Sequence, residues 1–190
     1  MDYRPFLKFY PNFPIKGVNF VDIIPLIQDK ELFRQVSADL AALCTTPNLA
    51  APEARGFLFA TPLLHSYAVE NVIPLRKKGK LPFAKGDLIQ VEIMKEYGPD
   101  HVYFRRSDLA ASQPTGDTIE ITFFDDILAT GGTAKGLAEG LNAQTVTIDG
   151  KEYKVKVKDF VFLVEIDDLP GRKRLEGIAP VKSLIHVTEG

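Results

Sequence analysis

Ile119-Glu120-Ile121-Thr122-Phe123-Phe124-Asp125-Asp126-Ile127-Leu128-Ala129-Thr130-Gly131-Gly132-Thr133 decides the fold. The apolar run over 119–124 has the pattern of a strand buried on both faces. It ends in two aspartates, and Gly131-Gly132 breaks it before a helix predicted over about 133–141. Backbone N–H groups of Ala129, Thr130, Gly131, Gly132 and Thr133 then point into the concavity between turn and helix start, where the helix dipole favours an anion. Glycine lets a backbone approach a phosphate closely, and Thr130 and Thr133 add hydroxyl donors. Asp125 and Asp126 would repel a phosphate; they suit sugar hydroxyls or a divalent cation held through water. Together these features describe a site for a phosphorylated sugar. A nucleoside-triphosphatase would need a G-x-x-x-x-G-K-[ST] loop, which the chain lacks. A receiver-type acidic pocket has no following phosphate turn. A purely structural strand–turn–helix requires neither Asp-Asp nor Thr-Gly-Gly-Thr.

Outward from this stretch, buried strands alternate with helices. A helix is predicted over about 30–44, capped by Asp29, with Leu32, Val36, Leu40 and Leu43 on one face. A short strand leads into Glu53-Ala54-Arg55-Gly56. Thr61-Pro62 reads as N-cap and first position of a helix to about residue 70. A strand follows over 72–76, then a polar stretch over 77–86 with four lysines and two glycines. Residues 88–94 and 101–105 alternate as two strands of a hairpin, with a turn-rich tip over 95–100. Residues 145–157 read as a second hairpin with Asp149-Gly150 as a type I′ turn. Further strands are predicted over 160–165 and 183–187. The opening, with Pro5, Pro11 and Pro14, reads as an extended arm on the surface. The pattern is that of an α/β fold with a mainly parallel sheet, whose ligands sit at the carboxyl ends of the strands.

The bulk numbers agree with a single domain over 1–190. Hydrophobic residues make up 45% of the 190 and charged ones 25%, an ordinary globular mix. A net charge of −2 argues against a nucleic-acid partner. No apolar run is long enough for a membrane span, and the N-terminus lacks a secretory pattern. Cys44 stands alone, so no disulfide framework is expected and a cytoplasmic location fits. His65, His101 and His186 show no metal-ligand spacing.

The strand–acid–glycine segment resembles the 5-phosphoribosyl-1-pyrophosphate (PRPP) signature of type I phosphoribosyltransferases, in the full Asp-Asp-x-Leu-Ala-Thr-Gly-Gly-Thr form of the adenine phosphoribosyltransferases. Further segments are similar in the same order: Phe13 to Ile23 to the base-side segment, Glu53 to Phe59 to the pyrophosphate loop, Arg76 to Pro82 to the basic loop, Glu96-Tyr97-Gly98 to the mobile loop, and Leu163 to Leu175, with Glu165, Gly171 and Arg172, to the penultimate strand and turn. The resemblance covers about residues 13–176. It implies the type I phosphoribosyltransferase fold, with an N-terminal arm or hood over 1–28, a basic loop and mobile hairpin over 77–106, and an inserted hairpin over 145–157 that the family replaces by a short turn.

The resemblance also implies the site. Residues 129–133 would hold the 5-phosphate. Asp125 and Asp126 would hold the ribose, with Mg²⁺ bound mainly through PRPP and, through water, by these aspartates. Arg55, Arg76, Lys77 and Lys80 would hold pyrophosphate, partly across a homodimer interface, while Lys78 is read as surface. Glu96 and Tyr97, with Asp126, would be catalytic, Glu96 exchanging a proton with the base. Asn19, Phe20 and Val21 would line the base side. Two departures keep the base open. Val21 stands where the family has an arginine that contacts adenine, and Asn19 stands where it has an aliphatic residue. The implied activity is transfer of the phosphoribosyl group to adenine, giving AMP and pyrophosphate in purine salvage. Hypoxanthine, guanine or xanthine as the base, and a non-catalytic PRPP-binding regulator, are the alternatives.

Overall fold

A computed structural model describes residues 1–66, 69–95 and 98–188, apart from the side chains of 94 and 95. The elements, in chain order, are β1 (Lys8–Pro11), β2 (Asn19–Asp22), α1 (Lys30–Leu43), β3 (Asn48–Pro52), α2 (Arg55–Ala60), β4 (Asn71–Lys77), β5 (Leu88–Lys95), β6 (Gly98–Arg105), α3 (Arg106–Ala110), β7 (Thr118–Leu128), α4 (Gly132–Asn142), β8 (Thr145–Ile148), β9 (Lys151–Ile166), α5 (Gly171–Leu175) and β10 (Val181–Val187). The large sheet has the order β10-β9-β7-β3-β4-β6-β5, with β8 paired to the first part of β9. Pairing is parallel from β10 to β4 and antiparallel through the β5–β6 hairpin.

Alternation along the central strands divides the core between the two faces of the sheet. Ala50, Ile121, Phe123, Phe160 and Phe162 belong to one buried cluster with Leu137 and Leu141 of α4. Leu49, Ala51, Phe124, Val161 and Leu163 belong to the other with Val36 and Leu40 of α1. Helix α1 forms as expected: the Asp29 carboxylate accepts from Leu32 N–H at 2.8 Å.

Several expectations are corrected. The opening runs over the surface as expected, with Pro5, Pro11 and Pro14 exposed, but it is built of a 3₁₀ turn and a two-stranded ribbon and not of extended chain alone. Pro5 lies in a 3₁₀ turn, Arg4–Phe6, at a position that needs no donor. Pro11 ends β1, which pairs antiparallel with β2. Tyr3 is buried, and its hydroxyl donates to Asp39 of α1 at 2.5 Å. Thr61 is not an N-cap. The helix starts earlier, at Arg55, and tightens into a 3₁₀ turn, Thr61–His65, because Pro62 has no N–H to continue the α pattern. The hairpin strands reach to Lys95 and Gly98, so Gly98, Pro99 and Asp100 are strand and not tip. Strand β7 continues through both aspartates to Leu128.

Residues 151–166 form one strand, not two. Its first half alternates exposed and buried residues, and from Asp159 on every residue is buried, because from Phe160 its alternate side chains enter the core clusters on the two faces of the sheet. The register against β7 slips between Ile121 and Thr122, whose partners are Val157 and Asp159. The slip turns Asp159 inward. Its carboxylate accepts from Thr45, Thr122 and Lys182 at 2.6–2.7 Å, so the buried charge is fully engaged. The 149–150 turn has both φ angles positive, at 49° and 80°, as type I′ requires. Val146, Val155 and Val157 are buried, so the inserted hairpin is part of the core.

Candidate functional site

Strands β9, β7, β3 and β4 are parallel neighbours, so their carboxyl ends share one rim. The chain passes from β3 to β4 on one side and later enters β7 on the other. The crevice between β3 and β7 is therefore the topological switch point, where open α/β sheets bind ligands.

At the end of β7 the turn is shaped by Gly131, whose φ of 74° lies in the left-handed region. Gly131 is also the N-cap of α4 and brings no side-chain acceptor to its first-turn N–H groups. A cavity of about 310 Å³ opens here, lined by Arg55, both aspartates and residues 127–134, with Phe162 behind. The turn is held from below by the start of α5. A Cβ at Gly131 would lie 3.0 Å from Gly171 Cα and O, and one at Gly171 would lie 2.2 Å from the Ala129 oxygen. Gly171 is fixed in turn by its neighbour. Arg172 donates to both oxygens of the buried Glu165, at 2.7 and 2.5 Å, and Ser183 donates to the same carboxylate at 2.6 Å. The sequence shows Gly171 and Arg172 only as part of a resemblance; the close backbone contact is what gives them a task.

Across the switch point, Arg55 Nε lies 2.7 Å from Asp126 Oδ2. Its guanidinium also lies 5.2 Å from the centroid of the Phe20 ring, and Phe13 meets that ring edge-on at 5.3 Å. One side chain thus joins the β2 ribbon to the acidic strand end. Phe13 lies in the base-side segment without a task of its own in the sequence; its aromatic spacing to Phe20 is the available signal.

Val21 corrects the base-side expectation. It is 4% exposed and packs with Ile23 and Leu26, so its side chain faces the core. Asn19 and Phe20 are half-buried on the same strand. Arg76 does not line the cavity. Its Nε is 3.1 Å from Glu53 Oε2, its guanidinium rests 5.6 Å from the Phe57 ring, and the Lys77 N–H donates to Glu53 Oε1. Lys77 and Lys80 are exposed, also outside the cavity lining. Glu53 organises the basic strand end, a task not legible from its identity alone. Glu96 and Tyr97 lie outside the described residues.

Asp125 is electrostatically unusual. Burial, the adjacent Asp126 charge and hydrogen bonding with Asp126 hold its carboxyl well above its ordinary value of 3.8, against the lowering effects of the Asp126 N–H and Arg55. A Cβ at Gly56 would lie 3.1 Å from Asp125 Oδ1, so α2 roofs this carboxyl. The folded state binds this proton more tightly than the unfolded state, so stability falls as pH rises through the raised value. Asp125→Asn is expected to melt higher than the parent at neutral pH, the gap closing as pH falls towards 3.8. A melting series from pH 4 to 8 checks this; a gap independent of pH would refute it. The two carboxylates offer oxygen ligands only, a donor set that fits a hard cation such as Mg²⁺.

The parallel sheet, the glycine turn after an acidic strand end and the arginine across the switch point define a type I phosphoribosyltransferase fold. No family model matches the chain. The adenine phosphoribosyltransferase of Thermotoga neapolitana is 33% identical over 188 residues, covering 97% of this chain and 99% of that one. The crystal structure of adenine phosphoribosyltransferase from Thermoanaerobacter pseudethanolicus aligns with a TM-score of 0.79 at 33% identity, covering 97% of each chain. That of the Saccharomyces cerevisiae enzyme, complexed with an imino-altritol bisphosphate and adenine, aligns at 0.75 and 28% identity over 96% of each chain. The chain belongs to the adenine phosphoribosyltransferase family and is a phosphoribosyltransferase.

Proposed function

We propose that the chain transfers the 5-phosphoribosyl group of PRPP to adenine, releasing AMP and pyrophosphate, as a purine-salvage step. The continuous line from the phosphate turn through Asp126 and Arg55 to the Phe20 ring carries this reading. It joins, through Arg55, the acidic strand end suited to a ribose and the aromatic ring suited to a base, the two reactants that must meet at the anomeric carbon. The yeast relative's complex with adenine supports the choice of base.

In this reading residues 129–133 hold the 5-phosphate, and Asp125 and Asp126 hold the ribose hydroxyls. Phe20 offers its ring to the base, and Asn19 offers a donor and an acceptor. The base nitrogen forms a bond to the anomeric carbon as the bond to pyrophosphate oxygen breaks, the electron pair leaving with pyrophosphate. Positive charge grows on the ribose, where Asp126 stabilises it. Arg55 leaves its ion pair to hold the departing anion, with Arg76, Lys77 and Lys80 reaching in from the β4 end. Glu96 takes the proton released by the base. Asp125 and Asp126 would hold Mg²⁺ through water, and the ion would supply charge neutralisation on the pyrophosphate.

Leu58 and Leu64 are exposed beside an apolar groove of about 340 Å³ formed with Phe57, Thr61, Val72 and Pro74, next to the basic strand end. This face supports a homodimer. Cys44 is buried and free, and among the described residues no helix is long and apolar enough to cross a membrane; a cytoplasmic setting accords with both.

The test is pyrophosphate release from PRPP and Mg²⁺ with adenine, hypoxanthine, guanine and xanthine offered separately. Release with adenine alone is expected. Release with another base would move the specificity, as the inward Val21 would then imply. Tight PRPP binding without release on any base would point to a regulator.

A further inference from the structure

Helix α4 and strand β5 approach more closely than side chains on both would allow. A Cβ at Gly136 would lie 2.6 Å from Ile93 Cγ2, and one at Gly140 would lie 2.5 and 2.6 Å from the two γ-carbons of Val91. Valine and isoleucine are stiff at χ1, so neither can swing aside freely. Glycine is a poor helix former, and the two in the interior of this 11-residue helix, beyond Gly132 at its start, need a packing reason. The contact supplies it, because the strand lies directly on bare helix backbone.

The spacing carries more. Four helical residues advance about 6.0 Å, and two strand residues advance about 6.7 Å. Val91 against Gly140 and Ile93 against Gly136 are therefore successive steps of one antiparallel alignment. The next step sets residue 95, the last of β5, level with Gly132, the first of α4 and part of the phosphate turn.

We propose that Gly136 and Gly140 are positioning residues, which seat β5 on α4 in a register that ends the strand at the phosphate turn. One helix then sets both the 5-phosphate site and the place where the chain leaves β5. The proposal rests on the phosphoribosyl-transfer reading, and on Gly136 and Gly140 themselves touching no substrate.

The test is Gly140→Ala, with Gly140→Ala/Val91→Ala as its size-swapped partner. To bring the contact from 2.5 Å to an ordinary 3.4 Å, the strand must move by about 0.9 Å. A displacement near 1 Å lowers turnover by up to about 100-fold. The expected result is kcat reduced about 10- to 100-fold, PRPP affinity by calorimetry within about threefold of the parent, and recovery of kcat in the double variant. Alanine raises helix propensity, so a loss of turnover cannot come from a weaker helix. Parental kcat in Gly140→Ala would overturn the proposal. So would a joint fall of kcat, PRPP affinity and melting temperature that Val91→Ala does not reverse. A parent enzyme inactive with every base would instead overturn the functional reading itself, while parental activity with unchanged Gly140→Ala turnover would overturn only the positioning proposal.

Discussion

Gly171→Ala is expected to abolish measurable PRPP binding and to lower the melting temperature. The new Cβ would fall 2.2 Å from the Ala129 carbonyl oxygen and 2.7 Å from Leu128 Cδ1. The leucine can rotate away, but the oxygen belongs to the phosphate turn itself, so relief requires the turn or the start of α5 to move. Neither moves freely. Arg172, the next residue, is held by two bonds to buried Glu165 and one to the Val181 carbonyl. Gly131, on the other side of the contact, already approaches the Gly171 backbone to the limit. Overpacking of this kind costs about 1–3 kcal/mol. In a chain of this size each kcal/mol lowers Tm by about 2–4 °C. The loss of PRPP affinity is expected to be larger, at least about 100-fold, because a phosphate held by backbone N–H groups depends on their direction. Calorimetric titration with PRPP and a thermal melt read the two effects separately. Gly177→Ala, where an added Cβ meets nothing within 4 Å, is the control. Undiminished PRPP affinity in Gly171→Ala would mean that the phosphate is not held by this turn.

The contrast between Gly131 and Gly171 shows how the site is written in the chain. Gly131 is legible because its neighbours are: a buried strand, two acids, a threonine and a helix start all stand within one short segment. Strand β7, the turn, α4 and the parallel sheet follow from hydrophobic period and punctuation, which are local. Gly171 lies about forty residues away, and its importance comes from a backbone contact that no local pattern encodes. Glu53 is similar, since its two bonds reach residues 76 and 77. Where local rules misled, a tertiary contact had prevailed. Prolines 5 and 11 were compatible with a ribbon once Tyr3 could anchor on Asp39. Lys158-Asp159 looked like a break between strands, but the register slip buries Asp159 against Lys182 and keeps the strand whole. Val21 faces the core because its neighbour Phe20 takes the other side of β2, an alternation that the motif alignment could not weigh against the family's arginine.

Asp126→Asn is expected to lower kcat about 100- to 1000-fold, the range for removing one group aimed at charge that develops in the transition state. Its effect on folding should be small, and the structure says why. The substitution conserves volume at a residue 7% exposed, so it opens no cavity. Asp126 Oδ2 meets Arg55 Nε as an ion pair at 2.7 Å and accepts no hydrogen bond, so the substitution breaks none there. The ion pair it replaces involves an arginine side chain that is 36% exposed, so its loss costs on the order of 1 kcal/mol or less. Against that loss stands a gain, since neutralising Asp126 removes a charge that raises the Asp125 carboxyl. The two effects oppose each other in stability but not in catalysis, where the negative charge beside the ribose is gone outright. Steady-state rates with PRPP and adenine, together with thermal melts of parent and variant, separate them. A kcat loss of the stated size with Tm within about 3 °C of the parent assigns Asp126 to the reaction. A fall in turnover matched by a proportionate fall in Tm would make Asp126 a structural partner of Arg55, and would shift the ribose contact to Asp125 alone.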